Sequence, residues 1–222
     1  MLRLENVGYR YTSGNRDVLN NVSALFKDGF FTSIVGPSGS GKTTLLSIMA
    51  GLDRPSTGHI FIDNANLSDL NLDVCRRERI SVIFQAFHLF PLLTALENVC
   101  YPMEQNGVPQ KDAQIRAAEL LESVGISEEK HKRYPANLSG GEQQRVAIAR
   151  GLSTGAKVML ADEPTGNLDK ANGDAIVEIL QKLAHEQGYC VIVVTHNPEI
   201  AQISDEIYRM TDGALTFVEK SY

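Results

Sequence analysis

Long apolar runs, paired cysteines and an excess of positive charge are all missing from this chain of 222 residues. Its longest apolar stretches, such as Val191-Ile192-Val193-Val194, fall far short of the roughly 20 residues a helix needs to cross a bilayer. Any membrane part of the function is therefore expected to belong to another chain. The opening segment Met1-Leu2-Arg3-Leu4-Glu5 carries no apolar export stretch. Cys75, Cys100 and Cys190 are odd in number, widely spaced and without a metal-ligand pairing, which argues against a disulfide framework and suits a reducing cytoplasm. The 21 Lys and Arg against 27 Asp and Glu leave a formal charge of −6, so no global field draws the chain to nucleic acid or to an anionic membrane. The short basic clusters Arg76-Arg77-Glu78-Arg79 and Lys130-His131-Lys132-Arg133 read as solvated faces. Internal repeats, low-complexity tracts and heptads are absent as well.

What is present is sharply defined. Gly36-Pro37-Ser38-Gly39-Ser40-Gly41-Lys42-Thr43 is a complete phosphate-binding loop of the pattern G-x-x-x-x-G-K-[ST]. It follows the apolar run Phe31-Thr32-Ser33-Ile34-Val35 and precedes the helical-looking Thr44-Leu45-Leu46-Ser47-Ile48-Met49-Ala50. Glycines let main-chain N–H groups turn inward into an anion nest, and the helix N-terminus adds its positive dipole end. Lys42 would reach the β- and γ-phosphates and the Thr43 hydroxyl would ligate Mg²⁺. These residues imply that the chain binds a nucleoside triphosphate.

Strands are expected near residues 2–7, 31–35, 59–62, 80–84, 157–161, 190–194 and 205–210. Several are unbroken apolar runs ending in polar residues, as in strands buried on both faces with a site at their carboxyl ends. Residues 92–153 read instead as helices, one carrying a core-facing stripe of Ile115, Ala118, Leu121 and Val124. A later helix carries Ile176, Ile179, Leu180 and Leu183 at the same spacing. The length allows one large domain or two lobes.

Val158-Met159-Leu160-Ala161-Asp162-Glu163 describes a buried strand presenting acids at its tip. Asp162 would hold Mg²⁺ opposite Thr43, and Glu163 would accept a proton from, or orient, an attacking water. Leu138-Ser139-Gly140-Gly141-Glu142-Gln143-Gln144-Arg145 opens a further helix, with Ser139 and Glu142 at capping-box spacing. Gly140 and Gly141 clear side chains from its first turn, so that an anion can approach the main chain. A second phosphate-ready helix start is unusual in a chain that already has one.

Leu138-Ser139-Gly140-Gly141-Glu142-Gln143 resembles the signature sequence of ATP-binding cassette (ABC) proteins, and the other cassette motifs surround it in order. Tyr11 resembles the aromatic residue that stacks on adenine, with Tyr9 close enough to compete. Gln85 resembles the Q-loop glutamine that touches Mg²⁺ or the lytic water. Gly166-Asn167-Leu168-Asp169 resembles the D-loop, and His196 the switch histidine near the γ-phosphate. The match runs along essentially the whole chain. Taken alone, Gln85 would be a loop polar residue and His196 a capped strand-end histidine; His59, His88, His131 and His185 stay solvated or structural.

The resemblance implies an α/β fold: a P-loop NTPase (RecA-like) core with a β-rich N-terminal part and an inserted α-helical subdomain. Residues 1–222 would form a single cassette domain, with the helical subdomain at roughly 92–153. It implies ATP and Mg²⁺ as cofactors, with the nucleotide held by Tyr11, Gly36, Pro37, Ser38, Gly39, Ser40, Gly41, Lys42, Thr43 and Thr44. It implies a head-to-tail homodimer in the ATP-bound state, in which Ser139, Gly140, Gly141 and Glu142 serve the partner's ATP. Catalysis would fall to Glu163, His196 and Gln85, and metal ligation to Thr43, Gln85 and Asp162.

A finer resemblance is to the MacB/LolD/FtsE-like subgroup, on Gly51-Leu52-Asp53-Arg54-Pro55, Tyr134-Pro135-Ala136-Asn137-Leu138-Ser139, Ala161–Asp169 and Asp212-Gly213. It implies an FtsX/MacB-like integral membrane permease as partner, no nucleic acid, and a place on the cytoplasmic face of the membrane. The permease's coupling helix would meet Phe87-His88-Leu89-Phe90-Pro91-Leu92-Leu93. The alternatives are a soluble ABC ATPase acting on DNA or the ribosome, and a non-transporting regulatory cassette. The former usually carries a coiled-coil insertion, zinc-binding cysteines or tandem cassettes, none of which stands in this sequence. Departures from the family pattern are Asn64 and Gly151 where glycine and alanine are common, Ala156 for proline, and Phe30 for an acid. Gly151 should loosen its helix by about 1 kcal/mol relative to alanine.

Overall fold

In the computed structural model, which describes residues 1–11 and 17–218, the apolar runs are strands with both faces covered. Along β7 (Val158–Asp162) and β8 (Cys190–Thr195), alternate residues enter two different cores. Val158, Leu160, Ile192 and Val194 join one, while Met159, Ala161, Val191 and Val193 join the other. Period-two alternation between two apolar environments is what a central parallel strand requires. These strands lie in a six-stranded sheet with β3 (Phe31–Val35), β6 (Ile80–Ile83), β9 (Glu206–Thr211) and β10 (Ala214–Val218), in the order β10-β9-β3-β8-β7-β6. All its pairings are parallel except β9–β10.

A second, antiparallel sheet contains β1 (Leu2–Tyr9), β2 (Leu19–Phe26), β4 (Thr57–Ile62) and β5 (Ala65–Asn66), in the order β2-β1-β4-β5. Helix α1 (Lys42–Met49) packs its Leu45, Leu46, Ile48 and Met49 into the core shared by both sheets. On the opposite face of the parallel sheet lie α3 (Ala95–Gln105), α4 (Gln110–Ser123), α5 (Gly140–Ser153) and α6 (Lys170–Gln187). The short helices α2 (Leu72–Glu78) and α7 (Pro198–Ile203) precede β6 and β9.

The structure departs from the sequence reading in several places. Strands β2 and β10 were not expected: β2 is bulged and interleaved with Asn20, Asn21 and Ser23, and β10 is a largely exposed edge, so neither has a continuous apolar face. The apolar stripe of α4 is Ala113, Ala117, Leu121 and Val124, whereas Ile115 is 53 % exposed. Small alanines spaced four apart let α4 lie close on its neighbours, and Ile115, two positions on from Ala113, points to the opposite side. His131 leaves the solvated basic cluster: it is buried, with Nε2 3.2 Å from the Ile126 carbonyl oxygen. Asn64, where glycine is common, sits at φ 68° after Asp63 at φ 49°, forming the two-residue turn between β4 and β5; Asn and Asp tolerate that left-handed geometry. The three cysteines are free and buried, and burial pushes the thiols of Cys100 and Cys190 to about 11 and about 12.

Gly151 has a local reason to be glycine that propensity alone misses. A Cβ there would stand 2.4 Å from Ser81 Oγ and 3.2 Å from Ile83 Cδ1, where α5 crosses β6. Gly151→Ala should therefore forfeit the helix gain and destabilise the fold by about 1–3 kcal/mol through overpacking. Adding Ser81→Ala should recover most of that loss. Urea midpoints of the two single variants and the double variant would check this, and a stabilised Gly151→Ala protein would contradict it.

Candidate functional site

Parallel pairing places three strand ends side by side. Val35 pairs with Thr195 and Asp162 with Val194, so the loop after β3, the end of β8 and the tip of β7 open at one level. There a cavity of about 620 Å³ is lined by Gly36, Pro37, Ser38, Gly39, Gly41, Lys42, Thr43 and Thr44, together with Gln85, Asp162, Glu163 and His196. Ser40 alone of the loop residues turns away: it is buried, and its hydroxyl lies where a Cβ on Gly36 would come within 3.0 Å. Gly36 is further constrained because that Cβ would stand 2.2 Å from the Met210 carbonyl oxygen, while Gly41 takes φ 105° at the start of α1. Lys42 Nζ donates to the carbonyls of Gly36 at 2.8 Å and Pro37 at 2.9 Å, holding the ammonium inside the loop.

The acidic tip is asymmetric. Glu163 stands at φ 46°, a left-handed conformation uncommon outside glycine and costly unless the surroundings enforce it. Its carboxylate is clasped from β8: Thr195 Oγ1 donates to Oε2 at 3.2 Å, and His196 Nδ1 meets Oε1 at 2.8 Å. Its main-chain N–H donates to the Val194 carbonyl at 2.9 Å. His196 remains largely exposed, so its ring can also face a ligand. Asp162 is more enclosed. Burial raises its carboxyl above the ordinary range, opposed by a hydrogen bond with Thr43, and its Oδ1 is buried without a hydrogen-bond partner. Among the described residues no cluster of three His, Cys, Asp or Glu side chains could hold a metal. One buried carboxylate oxygen beside a threonine hydroxyl and a phosphate loop does fit Mg²⁺, which completes its shell with phosphate and water.

Gln85 follows β6, and its Nε2 donates to Asn167 Oδ1 at 3.2 Å while Asn167 Nδ2 returns a bond to the Gln85 carbonyl at 3.0 Å. Gly166 allows that approach, since a Cβ there would lie 2.7 Å from Gln85 Nε2. Tyr11 reaches the loop through Thr44, hydroxyl to hydroxyl at 3.0 Å, and is half exposed. Tyr9 is buried and hydrogen-bonded to Asp53, and packs edge-on against Tyr11. Of the two, only Tyr11 presents a ring to solvent beside the phosphate loop.

Ser139, Gly140, Gly141 and Glu142 do not line this cavity. The capping box is formed: Glu142 N–H donates to Ser139 Oγ at 3.3 Å and Ser139 N–H to Glu142 Oε2 at 2.7 Å. Lys130 Nζ sits 2.9 Å from Glu142 Oε1, and together these contacts hold the Glu142 carboxyl below its usual range. A Cβ on Gly141 would strike Asn172 Oδ1 at 2.3 Å, so this glycine answers a packing demand.

Sequence reasoning assigned no role to Thr195 or Gln144, and placed Asn167 in the D-loop resemblance without its contact with Gln85. Gln144 is fully buried and donates through Nε2 to the Pro164 carbonyl at 2.9 Å, joining α5 to the residue after Glu163. Its signal was a polar residue in register with the buried positions Gly141 and Ile148 of α5.

Comparison with known proteins identifies the family. A family profile described as ABC transporter matches residues 19–166. The chain belongs to the ABC transporter family. It is an ATP-binding cassette of that family and an ATPase. It is 41 % identical over 219 residues to the uncharacterized ABC transporter ATP-binding protein YclH of Bacillus subtilis (strain 168), covering 99 % of this chain and 97 % of that protein. It is 41 % identical over 220 residues to the macrolide export ATP-binding/permease protein MacB of Vibrio parahaemolyticus, covering 97 % of this chain but 33 % of that one. The solved dimeric, post-hydrolysis structure of the cassette MJ0796 of Methanocaldococcus jannaschii, bound to ADP and Pi, superposes with a TM-score of 0.88. That match has 40 % identity and covers 99 % of this chain and 100 % of the other. Among the described residues no helix is long and apolar enough to cross a membrane.

Asp162→Asn replaces a half-enclosed carboxyl, one oxygen of which is buried without a partner, but keeps its shape. The ligand-free variant is expected to melt no lower than the parent protein, while ATP-induced stabilisation should no longer respond to Mg²⁺. Thermal melts with ATP in the presence and absence of Mg²⁺ would check both halves.

Proposed function

We propose that this ATPase powers a separate FtsX/MacB-like integral membrane permease from the cytoplasmic face of the membrane. Its work would be export or mechanotransmission for a substrate of the antimicrobial-peptide, drug, lipoprotein or peptide class. Residues 1–222 act as one cassette domain, with roughly 92–153 as its helical lobe; residues 12–16 and 219–222 lie outside the described residues. The carrying observation is the clasped Glu163: a carboxylate held by Thr195 and His196 that lines the same cavity as the phosphate loop.

In this reading, Tyr11 stacks on adenine and the nest of main-chain N–H groups from Gly36 to Thr44 receives the phosphates. Lys42 exchanges its two carbonyl partners for phosphate oxygens. Thr43, Asp162 and Gln85 would hold Mg²⁺, which when bound would supply positive charge against the phosphates. Glu163 orients a water for attack on the γ-phosphorus and takes its proton as the bond to the β-phosphate oxygen breaks, leaving ADP and phosphate. His196 steadies the Glu163 carboxylate and faces the γ-phosphate.

Ser139, Gly140, Gly141 and Glu142 serve the ATP of a second copy in a head-to-tail dimer. Their absence from the phosphate-loop cavity supports this, as does the dimeric MJ0796 relative. The γ-phosphate would then bridge both copies, and its loss would open them. An exposed groove of about 560 Å³, lined by Leu52, Phe84, Phe90 and Tyr101 among others, adjoins the segment after Gln85. It offers a seat for the permease's coupling helix. The MacB relative, whose name joins ATP-binding and permease, supports a permease as partner.

Glu163→Gln should retain ATP binding, lose turnover by about 10²–10⁴-fold and accumulate as a closed dimer. Purified with ATP from detergent-solubilised host membranes, that variant should bring down an FtsX-like permease; ribosomes, DNA or only soluble proteins would overturn the partner assignment. Ser139→Arg should abolish hydrolysis while the isolated monomer still binds nucleotide. Loss of monomer binding would defeat the shared-site arrangement.

A further inference from the structure

Arg150, in the third turn of α5, plays no part in the chemistry described above. Its guanidinium nevertheless reaches out of the helix to two successive main-chain carbonyls. NH1 donates to the His88 oxygen at 2.7 Å and NH2 to the Phe87 oxygen at 3.3 Å. Those two residues have φ of 48° and 60°. Adjacent left-handed conformations at two non-glycine residues are costly and persist only where neighbours enforce them. The planar fork of arginine suits a pair of neighbouring acceptors, whereas the lysine ammonium is a single point donor. The Arg150 guanidinium also lies 5.7 Å from the centre of the Phe90 ring, and it is partly withdrawn from solvent, which pushes its pKa down.

The gripped carbonyls begin two residues after Gln85, with only Ala86 between. Gln85 is in turn tied at both its main chain and its side chain to Asn167. Arg150 and His88 also line the groove beside this segment. One side chain thus touches the groove wall and sets the course of the backbone that leads to the cavity. We propose that Arg150 is a positioning residue for Gln85: its fork holds Phe87 and His88 in their left-handed course and so fixes the path of the backbone that carries Gln85. This rests on the reading that Gln85 acts in hydrolysis.

The proposal can be tested on the purified full chain by steady-state ATPase kinetics in a double-mutant cycle. Arg150→Met should lower kcat by roughly tenfold or more, as small misplacements of a reacting group do, with KM for ATP within about twofold of the parent. Arg150→Lys should fall between the two, and thermal melts would identify any variant that fails to fold. In a Gln85→Ala background Arg150→Met should have almost no further effect, because residues acting as one unit are non-additive. Adding His88→Gly to Arg150→Met should restore much of kcat, since glycine takes positive φ without strain. Equal losses from Arg150→Met with and without Gln85 would overturn the proposal, as would a loss confined to KM or an absence of rescue by His88→Gly. A Gln85→Ala protein of normal kcat would instead remove Gln85 from catalysis, and the proposal with it.

Discussion

The site depends on one constraint, the in-register parallel pairing of β3, β8 and β7. Pairing of Val35 with Thr195 and of Asp162 with Val194 brings a phosphate loop, a hydroxyl–imidazole pair and two carboxylates to one edge. Because each strand is buried on both faces, a slip of one residue would exchange its two apolar environments and is strongly disfavoured. The register is thus protected by packing far from the cavity, and the chemistry inherits its spacing from hydrophobic burial.

The two acids show how much environment separates neighbours of the same kind. Asp162 ends its strand half enclosed, one oxygen without a partner; Glu163 turns into a left-handed conformation and meets the Thr195 hydroxyl and the His196 ring at the end of the next strand. An oxygen left unpaired in a buried setting is destabilising until something cationic arrives. A carboxylate already clasped keeps a fixed direction. Holding a metal and directing a water are demands of those two different kinds.

Much of this was legible in the order of residues. The phosphate loop, the acidic strand tip and the capping box each carry a local physical reason for their spacing, and each formed where that reason put it. Strands β2 and β10 escaped because edges in contact with solvent need no continuous apolar face. The Ile115 stripe failed because alanines, weak in any hydrophobic pattern, decide which face of α4 is turned inward. Thr195 and Asn167 were visible as letters, but their roles arise from contacts across 32 and 82 positions, which no local pattern encodes. Gly151 was misjudged for the same reason: its propensity is local and its neighbour Ser81 is not.

Lys42 sits in its own loop as a resident cation, bound to the Gly36 and Pro37 oxygens. The anion receptor is therefore assembled around a guest that is part of the chain. In the proposed reading an entering polyphosphate would offer the ammonium one set of oxygens for another, so that recognition at this loop would be mostly an exchange of partners at constant shape. The conformational work of the proposed cycle would then fall to contacts elsewhere, in the carbonyl-gripped turn after Gln85 and in the distant helix start at Ser139.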